Sequence, residues 1–396
     1  MTDVHEGAEE RQFPHPGWQP ISRVVNLAGP FFENCLFMPS YSDFTSHIYI
    51  LKGEYLTVVD PGNDYTAFME LWGLGFTPEI IKKIVVTHGH PDHWLGGVDL
   101  LRSYPEIGKG GGLEVILHGA ASPRLKETIR EFGSQVTEVS GGETLDFSGV
   151  NLEVVHTPGH TIDGICLYHA PTKTVFTGDM VLPLAMAEPD PRVGGRLDDY
   201  IFGIKALLKR DIENVCPGHG PIVAPGGRRV IEDTYEALLM KIIGAEGPVP
   251  WIEGAKALAQ KGLLEEALFC CDKEMARDGE NLTALELKAI CLGDLGRNSE
   301  ALEILDKILA RKSDNVFALT SKGCALMELG RHEESLNYFE SALKTNPSMQ
   351  EVLMYRGMAL YLSGRYDDAM QIEIFRTQFV GRFREELLKK TKPPKE

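Results

Sequence analysis

The sequence predicts an α/β domain followed by an all-α solenoid of helical repeats, and three observations carry that division. Between about Val24 and Ile243, short β-type runs alternate with Gly/Pro turns and a few stretches of helical spacing. From Pro248 onward strand signals vanish, Ala, Leu, Glu and Lys dominate, and small residues return every 34 positions. At 396 residues the chain is also longer than one core usually holds.

Residues 1–20, MTDVHEGAEERQFPHPGWQP, are acidic and Pro-rich without an apolar signal core, and read as a flexible arm. The α/β domain is expected over 21–247. IYILKGEYLTVVDPG reads as a hairpin that turns at Lys-Gly-Glu and ends at Asp60-Pro61-Gly62. YTAFMELWGLGF has helical spacing, and IKKIVVTHGH is a buried strand running into a loop. GLEVILHG, VNLEVVHTPGH, GICLYHAPTKTVFTGD and IENVCPGHG follow. Four of the strand-like runs end in loops rich in His, Asp and Gly, and the ends of strands on one sheet edge are where α/β proteins place their sites.

The repeats are expected over 248–383, with a basic tail at 384–396. Gly262, Gly296, Gly330 and Gly364 are spaced by 34, as are Leu258, Leu292, Leu326 and Leu360. Ala267, Ala301, Ser335 and Ala369 keep the same period, and so do Ala255, Ala289, Gly323 and Gly357. Each of the first glycines stands where one helix must stop, and the small residues let paired helices approach closely. The pattern resembles tetratricopeptide repeats, which are helix–turn–helix units. Such repeats imply a protein partner or a homo-oligomer.

The formal net charge of −17 disfavours nucleic acid as a partner. No apolar stretch is long enough to span a membrane. Seven cysteines with no CxxC pair argue against a disulfide framework, so the chain reads as cytoplasmic with reduced thiols.

The stretch THGHPDHWLGG packs His88, His90, Asp92 and His93 into six positions. Crowded His and Asp are poor formers of regular structure, and Pro91 disfavours a helix through the middle, so the stretch reads as a loop kept for its chemistry. His160 in TPGHT, Asp179 in TGD and His219 in PGHG add three more such side chains. Imidazole and carboxylate are ordinary zinc ligands, and seven are too many for one tetrahedral ion and suit two.

In this order the seven resemble the metallo-β-lactamase superfamily over roughly the first 240 residues. His at position 90 and Asp at 179 resemble the glyoxalase II-like branch: flavin-linked diiron reductases usually carry Glu at the first, and true β-lactamases a Cys near the second. The resemblance implies an αββα metallo-β-lactamase sandwich ahead of the tetratricopeptide solenoid. It implies two divalent ions, zinc first, with iron or manganese also accepted by an all-His/Asp site. His88, His90 and His160 would hold one ion, Asp92, His93 and His219 the other, and Asp179 would bridge. The ions would share a hydroxide as nucleophile, with Asp92 orienting it and carrying a proton to the leaving group. Asp60 matches a position that supports the site by bonding a ligand histidine; its alternative is a cap on the Pro61-Gly62 turn.

The activity so implied is hydrolysis of a small-molecule thioester, ester or lactone. The segment MVLPLAMAEPDPRVGGRLDDY is expected to wall the pocket, its apolar start favouring a small or acyl substrate. Arg192 and Arg196 are candidates to receive a carboxylate or phosphate. Tyr200 is a candidate donor to substrate, against the alternative of a helix residue packed on the sheet. His47, just before a strand, is a lesser candidate to face the pocket. The competing functions are a phosphodiesterase or nuclease of the same fold, and a non-catalytic metal-bound scaffold whose repeats bind a partner.

Overall fold

Alternation along the strands sets the layers. In the computed structural model, which describes residues 17–40, 45–63, 65–245, 250–279, 281–378 and 381, seven strands form one mixed sheet in chain order. They are β1 (Gln19–Pro20), β2 (Cys35–Met38), β3 (Ile48–Lys52), β4 (Leu56–Val59), β5 (Ile81–Val85), β6 (Glu114–His118) and β7 (Gln135–Val139). The first four pair antiparallel and β4 to β7 run parallel. The hairpin expected from IYILKGEYLTVVDPG is β3–β4, with Tyr49 opposite Val59. A second sheet holds β8 (Thr144–Phe147), β9 (Val150–His156), β10 (Ile165–His169), β11 (Thr174–Gly178) and β12 (Asn214–Pro217), in the order β12-β11-β10-β9-β8.

Tyr49 and Leu51 of β3 face inward and pack with Phe37, Val59 and Val85 against Phe147, Leu167 and Phe176 of the other sheet. Ile48 and Ile50 face outward, onto Phe68 and Leu71 of α1 (Thr66–Gly73), Leu100 of α2 (Pro91–Ser103) and Leu125 of α3 (Pro123–Glu131). On the second sheet α4 (Leu197–Leu208) packs against β9. The αββα sandwich therefore stands as expected. Because both faces of the first sheet are covered at its centre, β2, β3 and β4 are buried almost throughout.

The described residues divide into two compact units between Leu238 and Leu239, inside α5 (Gly227–Ile242). The expected boundary at 247/248, residues 1–16 of the arm expected over 1–20 and the tail at 384–396 lie outside the described residues, while Gln19–Pro20 at the end of that arm form β1.

The second unit is all helical: α6 (Trp251–Gln260), α7 (Leu264–Arg277), α8 (Leu282–Asp294), α9 (Asn298–Arg311), α10 (Val316–Glu328), α11 (His332–Thr345), α12 (Gln350–Leu362) and α13 (Tyr366–Gln371). The recurring glycines all sit in the left-handed region, with φ of 77°, 72°, 75° and 80°. After each, the next N–H donates back to a recurring leucine: Leu263 to Leu258, Arg297 to Leu292, Arg331 to Leu326 and Arg365 to Leu360. This is the two-residue helix stop that only glycine reaches without strain. Asn281 and Asn315, also 34 apart, cap the following helices by accepting from Ala284 N–H and Ala318 N–H. All seven cysteines are free, and no helix among the described residues is long and apolar enough to cross a membrane.

Candidate metal centre

Strand direction gathers the polar loops. The C-terminal ends of β4, β5, β9, β11 and β12 carry Asp60, His88, His160, Asp179 and His219. The two sheets meet there through Ile165 N–H donating to the Thr87 carbonyl and His47 N–H to the Gly218 carbonyl. The stretch read as a loop is a loop only as far as His90. Pro91 is the first residue of α2, where its missing N–H is no loss, so Asp92 and His93 stand in the first helical turn. That places the Asp92 carboxylate at the positive end of a 13-residue helix. Three residues after His93, a side chain on Gly96 would meet the Pro61 carbonyl at 2.2 Å. Bare glycine lets the turn after Asp60 press onto the helix, with Gly96 N–H donating to the Gly62 carbonyl at 2.8 Å.

All seven side chains converge. His88, His90 and His160 present ligand atoms within 4.8 Å of one another; so do Asp92, His93 and His219, and so do His88, His93 and Asp179. His90 Nδ1 lies 3.1 Å from His88 Nε2 and 2.9 Å from His160 Nε2. Asp92 Oδ2 lies 3.1 Å from His219 Nε2 and 3.5 Å from His93 Nε2. Asp179 reaches both triads, with Oδ1 at 3.4 Å from His93 Nε2 and Oδ2 at 3.6 Å from His219 Nε2, 3.7 Å from His160 Nε2 and 4.0 Å from His88 Nε2. Ligands at about 2.0–2.1 Å from a tetrahedral ion stand about 3.3 Å apart, which is the spacing seen here.

The far side of each ring decides which nitrogen carries a proton. His90 Nε2–H donates to Asp190 Oδ2 at 3.2 Å, and His160 Nδ1–H to the Glu188 carbonyl at 2.6 Å. Thr87 gives its hydroxyl proton to Asp60 Oδ2 at 2.7 Å, so its oxygen accepts from His88 Nδ1–H at 3.2 Å. The three inward nitrogens therefore all carry lone pairs, and they face one another at hydrogen-bond distance with no proton between them. Such a cluster is repulsive unless a cation sits in it. In the other triad His93 Nδ1–H donates to Asp60 Oδ2 at 2.8 Å, which turns Nε2 toward two carboxylates. His93 Nε2 and Asp179 Oδ1 are buried without a hydrogen-bond partner, a costly state that a divalent ion would relieve.

Burial holds the His88 imidazole well below its ordinary range and lowers His160 as well. Burial also works to lower His93, but the Asp179 and Asp60 carboxylates outweigh it and raise it. Asp179 is held low by His93, His88 and His219 against its own burial.

Asp60 bonds a candidate ligand histidine, and its carboxylate reaches the neighbouring strand end instead of capping the Pro61-Gly62 turn. Oδ1 accepts from Thr87 N–H at 2.7 Å, tying down the strand end, while Oδ2 holds His93. Tyr200 is a correction: it is fully buried, and its hydroxyl donates to the Met180 carbonyl at 3.0 Å, so it has no proton to offer a substrate. Arg192 is a second. Its Nε and Nη2 hold the Asp190 carboxylate at 3.0 and 2.8 Å, so this fork serves a residue of the chain itself. Arg196 is exposed and lies 3.6 Å from Asp198 and 4.0 Å from Asp199. His47 is buried rather than lining a pocket, and bonds the Gly220 carbonyl beside His219. Asp190 is the residue that sequence reasoning missed. It lies in the Pro/Gly-rich segment marked for specificity, but nothing in its spacing ties it to His90, 100 positions earlier.

Residues 42–219, which include all seven side chains, match the metallo-beta-lactamase superfamily, and residues 320–373 match a tetratricopeptide repeat. A hydroxyacylglutathione hydrolase of Yersinia enterocolitica is 32% identical over 148 residues, 37% of this chain and 50% of that protein. The lactamase-like protein GME11357 of Pestalotiopsis microspora is 24% identical over 242 residues, 59% of this chain and 65% of that protein. An atrochrysone carboxyl ACP thioesterase of Aspergillus novofumigatus is 25% identical over 144 residues, 36% of this chain and 38% of that protein. The chain thus spans less than two thirds of the length of each. Among solved structures, a metallo-beta-lactamase from Pontibacter korlensis is 24% identical with a TM-score of 0.42, covering 52% of this chain and 94% of that one.

Proposed function

From a chain that joins a metallo-β-lactamase superfamily domain to tetratricopeptide repeats, we propose a hydrolase that holds two divalent metal ions and cleaves an acyl thioester, or a related ester or lactone. His88, His90 and His160 hold one ion, Asp92, His93 and His219 the other, and Asp179 faces both. The observation that carries this reading is that His90 Nδ1 meets the lone pairs of His88 Nε2 and His160 Nε2 at 3.1 and 2.9 Å, with every far N–H already committed. When bound, such ions supply Lewis acidity and bring the pKa of water to about 7. An all-His/Asp donor set accepts zinc, iron or manganese.

The chain's own part is orientation and proton transfer. Water adds to the acyl carbon, the carbon–sulfur bond breaks, and the proton from water passes through Asp92 to the departing thiolate. A thioester is favoured because relatives of two kinds are named for acylglutathione and for an acyl carrier thioester. An apolar acyl group suits the turn after Asp179, where Pro183 packs near Gly220 and Leu184 is 82% exposed at the tip. A phosphate or carboxylate suits it less, since Arg192 and Arg196 are both ion-paired. The repeats bind a protein partner. Their cleft of about 530 Å³ is lined by Asp294, Glu328 and Glu351, which favours a basic segment.

The test is metal analysis of the purified chain, followed by acyl thioesters, lactones and bis(p-nitrophenyl) phosphate as substrates. Two ions per chain with thioester turnover are expected, and Asp92→Ala should cost about 10²–10⁴ in rate. Less than one ion per chain sinks the reading, as does turnover of the phosphodiester alone. Metal without any turnover supports the scaffold alternative.

A further inference from the structure

The segment from Glu188 to Arg196 grips two of the three histidines of one metal subsite. The Glu188 carbonyl accepts from His160 Nδ1–H, and Asp190 N–H donates to the His160 carbonyl at 2.8 Å. Arg196 N–H donates to the Gly159 carbonyl at 2.9 Å. Gly195 N–H closes the turn onto the Asp190 carbonyl at 2.8 Å, and a side chain on Gly195 would meet the His160 carbonyl at 2.2 Å. Out of this close-packed strap one carboxylate reaches His90.

We propose that Asp190, held by Arg192, is a positioning residue for the subsite formed by His88, His90 and His160, and that it sets how tightly that subsite binds its ion. The inference rests on the metal reading above and deepens it. Asp190 accepts from His90 Nε2–H, which makes Nδ1 the inward nitrogen and leaves its lone pair for the metal. Asp190 is itself fixed at four points: the Arg192 backbone N–H at 2.9 Å, Nε to both carboxylate oxygens at 3.0 and 3.2 Å, and Nη2 at 2.8 Å. A carboxylate so held does not rotate away from the ring. Arg192 does this from the surface, with its side chain 88% exposed, while Asp190 is only 12% exposed. The pair is therefore a built feature of the site and not a surface ion pair that happens to lie nearby.

The other subsite has its own carboxylate–histidine pair, Asp60 and His93, 3% and 0% exposed and anchored at a strand end. The two pairs do the same work on different foundations, one in the sheet and one in a loop. The inference follows that changes at Asp190 and Arg192 act on one ion and spare the other.

The test titrates Zn2+ into the apoprotein against a chromophoric chelator, resolving two affinities per chain. Asp190→Ala should weaken one of them about 10–100-fold and leave the other within about twofold. Arg192→Gln, which changes an exposed side chain and should not disturb folding, should weaken the same ion several-fold. In the Asp190→Ala background Arg192→Gln should have no further effect, since its only route to the metal is gone. Asp190→Asn keeps an acceptor for His90 and should recover part of the loss. Unchanged affinities in both single variants overturn the inference. So does equal weakening of both ions together with a lower apoprotein melting temperature, which would mark a merely structural strap. A wild-type chain that binds less than one ion is a different result, since it ends the metal reading and this inference with it.

Discussion

Through Leu238 the chain concentrates buried histidines and aspartates at one edge of two sheets, each with an individual partner. From Leu239 on it repeats one set of contacts every 34 residues. His93 has a single Asp60, but the glycine stop occurs four times with φ between 72° and 80°. The first unit is thus specified by contacts that nothing else duplicates, and the second by redundancy. A change in the first should therefore act on the site, whereas a change in the second should act on local stability and leave hydrolysis untouched.

The sharpest test of that contrast is Asp60→Ala. It strands His93 Nδ1–H, Thr87 N–H and the Thr87 hydroxyl in the interior. Breaking a buried pair of this kind costs about 3–5 kcal/mol, and the ion beside His93 should bind about 10–100-fold more weakly. Urea unfolding and zinc titration read the two effects. Asp60 has φ of 51°, a region where Asn is better tolerated than Ala, so Asp60→Asn separates lost charge from lost backbone fit. If Asp60→Ala left both stability and metal binding intact, the first unit would be as redundant as the second.

Acid should divide the units next. His47 accepts from Ser40 N–H at Nδ1 and donates Nε2–H to the Gly220 carbonyl, so a second proton would break one of these bonds. Burial, foremost, brings its pKa down to about 4 from an ordinary 6.5. Between those values the unfolded chain binds more protons than the folded one. The stabilisation is complete above pH 6.5 and is lost as pH falls toward 4, by up to about 3 kcal/mol. Unfolding of the first unit at pH 7 and pH 4.5 should show that loss, and His47→Gln should reduce it. His47 belongs to the first unit, and the repeats contain a single histidine, His332. Equal acid sensitivity of both units, unaffected by His47→Gln, would contradict the assignment.

The contrast also explains what the sequence displayed. The repeats were legible because a period of 34 is visible without knowing any contact. The seven candidate ligands were legible because each sits among Gly and Pro at the end of an apolar run. Pro91 was misread because a proline that breaks a helix from within and one that opens it are the same letter, and only the path of the following residues tells them apart. Tyr200 stayed open between substrate donor and packed helix residue for a related reason: helical spacing fixes which residues share a face, not whether that face meets the mouth or the core. Asp190 could not be seen, because its role comes from a chain crossing and not from a local pattern.

Within the repeats, the smaller effects test whether redundancy confines damage. A side chain on Gly323 would meet the Phe339 ring at 2.4 Å, so Gly323→Ala overpacks that helix pair by about 1–3 kcal/mol. Gly330→Ala meets nothing within 4 Å and suffers only from φ of 75°, about 1 kcal/mol. Both should lower the unfolding transition of the repeats and leave hydrolysis unchanged. A rate loss in either variant would show that the repeats take part in catalysis.

The smallest expected effect concerns the caps. Asn281, Asn315 and Met349 occupy equivalent positions with nearly the same backbone, φ of −64°, −65° and −69°, yet only the asparagines cap. The turn does not need the cap to form, so the cap contributes only its own hydrogen bond. Asn315→Ala should then cost about 1 kcal/mol in denaturant melts of the repeats. Asn281→Ala should cost more, because Asn281 Nδ2–H donates to the buried Glu274, whose Oε2 already has no partner, whereas Asn315 Nδ2–H donates to the half-buried Glu286. Equal losses at the two positions would mean that the buried Glu274 gains nothing from Asn281, and that the starts of α8 and α10 are as interchangeable as their spacing suggests.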